Sequence, residues 1–375
     1  MSSAPHPIAV NTPLLDGNER KYLLECLDTG WISSEGPFVQ RFEEEFAAKI
    51  GRRHGVAVCN GSVALDAAVV ALGLGPGDEV ILPSFTIISC ASAIVRAGAI
   101  PVVIDSDPLT WNMAVEQIEP RINPRTKAIM MVHIYGLPVD IDPLLALAAQ
   151  HGLKVIEDAA EMHGQTYRGR ACGSFGDLSV FSFYPNKHIT TGEGGMIVTD
   201  DAALAEKCRS LRNLCFQAER RFVHDELGWN FRMTNLQAAL GVAQLERLDP
   251  HVMRKRQIGR LYQEQLQGLR DVQLPLRATA YAENIYWVFG LVIGDSHPFD
   301  AKEAMLRLGK FRIGTRPFFW PMHEQPVLQR LGLMHGPDCP VASRLGRRGF
   351  YLPSGLGISD EEIKQVAAAV REIFA

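Results

Sequence analysis

A chain of 375 residues, 47% hydrophobic and 21% charged, can bury a large core, has the balance of a soluble globular protein and is long enough for two domains. Its net charge of -4 gives no bulk attraction to nucleic acid or to an anionic membrane surface. The seven cysteines (Cys26, Cys59, Cys90, Cys172, Cys208, Cys215 and Cys339) are scattered, with no CxxC pair of the kind that holds a metal, and their odd number predicts free thiols in a reducing cytoplasm. The opening Met1-Ser2-Ser3-Ala4-Pro5 lacks a basic region ahead of an apolar core, so no signal peptide is expected. Arg96, Gly98 and Pro101 break the apolar run 91–104 before it could span a bilayer.

Along the chain, residues 12–29 predict a helix start and an amphipathic helix. The polar loop 30–37 follows, with Trp31 as an aromatic of the kind that lines sites, and a second helix covers 38–50. Val56-Ala57-Val58-Cys59 reads as a buried strand ending in Asn60-Gly61-Ser62, which opens a helix over 63–72. Strand, Gly-Ser turn and helix N-terminus form a geometry that binds phosphate, through free amide N–H groups, the helix dipole and a hydroxyl. Simple capping by Ser62 explains the same residues. The pattern is neither a Walker loop nor GxGxxG.

Alternation continues with strands at 79–82, 101–104, 128–132 and 154–157 and helices at 89–97, 115–121 and 141–151. Such alternation predicts an α/β fold with a mostly parallel sheet covered on both faces, whose ligands gather at the carboxyl ends of the strands. Glu157-Asp158-Ala159-Ala160-Glu161 sits at that edge, where a buried carboxylate needs a cation; Asp158 either caps a helix or keeps a ring nitrogen protonated. Next, the strand ending Phe181-Ser182-Phe183 runs into a loop that presents Lys187 before Gly192-Glu193-Gly194-Gly195 opens another strand. Lys187 is either a solvated turn residue or, with apolar neighbours lowering its pKa, an amine nucleophile. Helices are expected at 202–211, 236–247 and 253–269, a strand at 287–293, an aromatic loop at 316–323 and a closing helix at 361–374. The pattern changes near 248, placing a larger domain over 1–248 and a smaller α+β domain over 249–375.

A phosphate site, a carboxylate for a pyridinium and an amine for an aldehyde are the three anchors that pyridoxal phosphate needs. With Gly30-Trp31-Ile32-Ser33-Ser34, Gly77-Asp78-Glu79-Val80, Asn230-Phe231-Arg232-Met233-Thr234-Asn235 and Thr315-Arg316-Pro317, these stretches resemble the DegT/DnrJ/EryC/StrS sugar aminotransferases, a fold-type I pyridoxal-phosphate family, from end to end. The resemblance implies a large domain with a mostly parallel, seven-stranded-type sheet and a small C-terminal domain, the N-terminal segment packing on the smaller one. It implies Lys187 as the Schiff-base lysine, Asp158 as partner of the ring nitrogen, Glu161 near the ring, and Gly61, Ser62 and Ser182 on the phosphate. Asn230 would reach the cofactor phosphate of a neighbouring subunit, giving a homodimer with shared sites. Trp31, His188, Arg316 and His323 are its candidates for the substrate. The implied reaction moves an amino group from L-glutamate to a 4-keto-6-deoxy sugar nucleotide, GDP-4-keto-6-deoxy-D-mannose, for polysaccharide biosynthesis. The alternatives are a UDP- or dTDP-linked keto sugar, or C3-dehydration with His188 as base. Two positions depart from the family: Ile87 stands where relatives place an aromatic over the ring, and His188 where they carry a smaller or apolar residue.

Overall fold

The computed structural model describes residues 6–334 and 338–375. The opening Met1-Ser2-Ser3-Ala4-Pro5, on which the signal-peptide expectation rests, lies outside them. Helices α1 (Glu19–Thr29) and α2 (Pro37–Ile50) lead into strand β1 (His54–Val58). The chain then runs through α3 (Gly61–Ala71), β2 (Glu79–Pro83), α4 (Ile88–Arg96), β3 (Ile100–Ile104), β4 (Thr126–Val132), α5 (Ile141–His151) and β5 (Lys154–Asp158). A small hairpin of β6 (Thr166–Tyr167) and β7 (Arg170–Ala171) precedes β8 (Leu178–Ser182) and β9 (Gly195–Thr199). Seven strands form one sheet in the order β1-β9-β8-β5-β4-β2-β3, and only β9 runs against the rest.

Side chains alternate across a strand, and this period of two divides the core. Val80 and Leu82 of β2, Ala128, Met130 and Val132 of β4, and Val180 of β8 face α3 and α4. Ile81, Ile129, Met131 and Phe181 face α2 and α5 on the other side. There Phe42 and Phe46 of α2 are fully buried, each worth about 1.5–3 kcal/mol over an exposed side chain.

Helices α6 (Ala202–Arg212), α7 (Asn235–Leu245) and α8 (Leu248–Leu266) carry the chain to a second, antiparallel sheet. Its strands β10 (Val272–Gln273), β11 (Phe289–Ile293), β12 (Arg316–Pro317) and β13 (Gly349–Leu352) lie in the order β10-β11-β13-β12. Helices α9 (Ala301–Lys310), α10 (Pro326–Arg330), α11 (Pro340–Arg348) and α12 (Asp360–Ile373) accompany it. With α8 and α12 it encloses a separate apolar core around Tyr262, Phe289, Phe350 and Val366, which Ile8 joins. Ile8 N–H donates to the Arg312 carbonyl at 3.0 Å, and its own carbonyl accepts from Gly314 at 2.8 Å. No described helix is long and apolar enough to cross a membrane.

The helix expected at 253–269 runs from Leu248 to Leu266, and three other predicted elements differ for local reasons. The helix expected from residue 12 begins at Glu19, because Pro13 and Gly17 precede it and Glu19 turns its own carboxylate back to the Gly17 N–H at 2.8 Å. The helix expected over 115–121 is two 3-10 turns, Val115–Gln117 and Glu119–Arg121, since Pro120 has no N–H to continue the first. The strand expected from Trp287 starts at Phe289, after Tyr286 takes a φ of 50° and the Trp287 carbonyl turns to Lys255 Nζ at 2.7 Å.

The two acids ending β5 point to opposite faces, and Glu157 is structural. It is fully buried and accepts from the amides of Gly173, Phe175 and Gly176, from Ser179 Oγ and from His133 Nε2. His133 Nδ1 accepts the Val139 N–H, so the ring is the neutral Nε2–H tautomer. Burial alone would raise the Glu157 carboxyl, but His133 and these amides outweigh it and hold it below the usual carboxylate range. Its stabilising effect is therefore present above the unfolded value of about 4.3 and lost as pH falls through the lower folded value. Glu157→Ala should cost about 3 kcal/mol or more, because several buried donors lose their acceptor. Thermal melts at pH 7 and pH 3.5 should show a drop for the variant that is large at the first and smaller at the second; equal drops would contradict this account.

Candidate active site

Three turns at the carboxyl edge of the large sheet meet around one cavity. The first leaves β1 for α3. Asn60 caps this helix, its Oδ1 accepting the Val63 N–H at 3.0 Å, and the Gly61 and Ser62 amides have no partner among the described residues. Glycine is required here. A Cβ at Gly61 would lie 2.7 Å from Ser182 Cβ, and one at Gly195 would lie 2.6 Å from the Asn60 carbonyl oxygen. These close approaches press the positive end of α3 onto the ends of β8 and β9.

The second turn follows β2. Its Thr86, Ile87 and Ser89 line the cavity, and Ser89 Oγ meets Ser62 Oγ at 2.7 Å. The third is the loop between β8 and β9, which carries Lys187. Its Nζ lies 3.8 Å from the centroid of the Trp287 indole, and Trp287 Nε1 is fixed by the Asn186 carbonyl at 2.9 Å. Trp287 is tied from behind by Lys255 of α8, a buried lysine with no carboxylate in reach among the described residues. Lys255 donates to the carbonyls of Trp287 and Ser354 at 2.7 and 2.6 Å, and burial pushes its pKa down to about 7.

The cavity has a volume of about 740 Å³. Its lining brings together Gly61, Ser62, Asp158, Glu161, Ser182 and Lys187. Burial raises the Asp158 carboxyl against the pull of the Ala160 N–H at 3.0 Å, of Cys90 and of the Lys187 charge. Burial likewise pushes Glu161 up to about 8, although Lys187 and the Tyr135 N–H, at 2.6 Å from Oε2, oppose it. Lys187 is lowered by the same desolvation, which outweighs both carboxylates. Asp158 has no ion pair among the described residues. A buried carboxylate in that state is a ready acceptor for a cationic N–H supplied from outside.

The remaining sequence candidates lie elsewhere. His188 does not line the cavity: its ring is buried, with Nε2–H donating to the Ile285 carbonyl at 3.3 Å. Burial holds it well below the usual imidazole range. His323 spans Ser84 Oγ at 2.6 Å and Ser343 Oγ at 3.1 Å, pinning its turn to the end of β2. Arg316 is exposed and lines a smaller adjoining cavity with Asn11, Tyr184 and Tyr351. Trp31 is 50% exposed and away from the lining, and Asn230 is exposed, its Oδ1 accepting from Arg232 Nε at 2.9 Å. Ile87 faces the cavity as an aliphatic side chain. Trp287, Phe319 and Tyr351 also line the cavity; Phe319 belongs to the aromatic loop expected at 316–323, whereas nothing local in the sequence marks Trp287 and Tyr351.

The DegT/DnrJ/EryC1/StrS aminotransferase family model matches residues 13–371, and the chain belongs to that family. It is 44% identical over 374 residues to GDP-perosamine synthase of Caulobacter vibrioides, covering 100% of both chains. It is 41% identical to GDP-perosamine synthase of Vibrio cholerae over 98% of this chain and 99% of that one. Among solved structures, the aminotransferase TlmJ from Streptoalloteichus hindustanus superposes with a TM-score of 0.90 at 30% identity, over 97% of this chain and 98% of that chain. DesI, solved with its TDP-sugar product, superposes at 0.88 and 33% identity, over 99% and 94%. The chain is thus a pyridoxal-phosphate-dependent sugar aminotransferase with the fold of those enzymes.

The residues present fit that cofactor. The amides of α3 that have no partner among the described residues suit a phosphate, the buried carboxylate of Asp158, which has no ion pair among them, suits a protonated ring nitrogen, and the desolvated amine of Lys187 suits an aldehyde. Gly61→Ala should weaken cofactor retention by about 1–3 kcal/mol, because its methyl group forces α3 off Ser182. Equilibrium dialysis with absorbance of the bound cofactor checks this. Retention equal to that of the parent would show that the close approach is not needed.

Proposed function

We propose that this chain transfers the amino group of L-glutamate to the 4-keto carbon of GDP-4-keto-6-deoxy-D-mannose, giving GDP-perosamine. The observation that carries the reading is the full-length identity of 40–44% to three GDP-perosamine synthases around a cavity that collects Lys187, Asp158 and the start of α3. When bound, pyridoxal phosphate supplies an aldehyde that joins amines covalently and a pyridinium that draws in the electrons left by a departing α-proton.

Each side chain then has a separate task. Lys187, moved by desolvation toward the neutral amine, would hold the cofactor through its aldehyde and, once released, would take and return a proton at Nζ. Asp158 would hold the proton on the ring nitrogen. Gly61 and Ser62 offer amides, and Ser62 and Ser182 hydroxyls, to the phosphate. Glu161 keeps its proton below pH about 8 and so can donate toward the ring as well as accept. The second reading, C3-dehydration with His188 as base, is disfavoured by the burial of that ring away from the cavity lining.

The same reading divides the chain at 248 into a larger cofactor-binding domain and a smaller one, supported by the second sheet having its own core. It assigns a cytoplasmic location, in keeping with cysteines that form no disulfide among the described residues. A homodimer with shared sites belongs to it too. Support comes from the exposed apolar side chains of Phe222, Leu227 and Trp229 just before Asn230, and from Trp31 and Ile32. Arg316 stands near the sugar-nucleotide end of the site in this reading, through the adjoining cavity that it lines with Tyr184 and Tyr351.

Two measurements test it. Purified protein should be yellow, borohydride should fix the cofactor to the Lys187 peptide, and amino transfer from glutamate should be fastest with the GDP-linked keto sugar in a panel with UDP- and dTDP-linked ones. A preference for either of the others would transfer the assignment to that nucleotide. For the shared site, Lys187→Ala and Asn230→Ala should each be impaired alone and should regain activity when dissociated, mixed and reassociated. No recovery on mixing would mean that Asn230 serves only its own subunit.

A further inference from the structure

The first turn of α4 touches both ends of the cavity. Ser89 braces Ser62 at the start of α3, while one residue later Cys90 turns its sulfur to Asp158 Oδ2 at 3.2 Å. Cys90 is fully buried, and Thr86 Oγ1 lies 3.4 Å from the same sulfur. An ionised carboxylate can only accept, so the thiol donates. Burial and the neighbouring Asp158 charge push Cys90 well above the usual thiol range, which keeps that proton in place. Asp158 then has two donors among the described residues, the Ala160 N–H on Oδ1 and the Cys90 S–H on Oδ2. The other charged or titratable groups bearing on the pair are Glu161, Lys187 and His133.

We propose that Cys90 is a positioning residue of the transamination, whose S–H fixes the plane of the Asp158 carboxylate and sets how strongly it holds the proton of the cofactor's ring nitrogen. This rests on the role given to Asp158 above. A thiol is a weak donor. It orients Oδ2 while withdrawing little charge from it, so the carboxylate stays a strong partner for a cationic N–H. A hydroxyl at the same place would donate more strongly and leave less charge for the ring. A methyl group would leave Oδ2 without its donor.

The test uses the holoenzyme and its Cys90→Ser, Cys90→Ala and Asp158→Asn variants. Three quantities are read: the S–H stretching band isolated by subtracting the Cys90→Ala infrared spectrum, the pH midpoint of the cofactor's absorbance change, and the rate of cofactor loss on dialysis. The band should move when Asp158 becomes Asn. The midpoints of the Ser and Ala variants should move in opposite directions, and Cys90→Ala should lose cofactor about fivefold faster, the factor that one missing hydrogen bond near 1 kcal/mol gives. Thermal melting controls for packing, since a merely space-filling Cys90 would lower the melting temperature without moving the midpoint of Cys90→Ser. If Asp158→Asn alters spectrum and retention while both Cys90 variants match the parent, the role of Cys90 is overturned and that of Asp158 stands. If Asp158→Asn itself matches the parent, both fall together.

Discussion

Lys187, Asp158 and Glu161 share one desolvated cavity, and the arithmetic of their charges is incomplete. Two carboxyl groups face one amine, and burial disfavours the charged form of each of the three. Glu161 escapes by keeping a proton. Lys187 moves toward the neutral amine that nucleophilic chemistry requires. Asp158 is left as the group whose charge nothing among the described residues balances at contact distance, and a cationic ring nitrogen would satisfy it. The affinity of the site for its cofactor and the reactivity of its lysine thus share one physical origin, the exclusion of water.

The surrounding architecture keeps that exclusion. Short apolar strands bury both faces of the large sheet, so its carboxyl edge is rigid where β1, β2, β5 and β8 end. The second sheet closes the cavity by sending Trp287, Phe319 and Tyr351 to its wall. One turn of α4 reaches both the start of α3 and the end of β5, so the separation of the phosphate end from the ring-nitrogen end is set by a single rigid element.

Much of this was legible in the residues. Strands of four or five apolar residues alternating with helical stretches announced a parallel sheet, and Gly61, Asp158 and Lys187 stand at strand ends, where such sheets bind ligands. What local pattern lacks is direction. His188 follows Lys187 in sequence, yet its ring enters the core beside Ile285, an outcome decided by a loop whose backbone no spacing rule describes. His323 looked like a substrate contact, but its partner Ser84 lies 239 residues away. Trp287 and Tyr351 were missed for the same reason, being brought to the site by the docking of a second core. Cys90 gave no signal because a cysteine in an apolar helix reads as packing.

Lys255 shows what counting donors against acceptors says about a buried lysine. An ammonium has three N–H bonds, and Lys255 has two acceptors, the carbonyls of Trp287 and Ser354. The third N–H of the charged form has no acceptor among the described residues. The neutral amine has two N–H bonds, which match the two carbonyls one for one. Near neutrality the side chain can therefore gain or lose its proton without releasing either carbonyl it holds, so the wall behind Lys187 keeps its shape in both states.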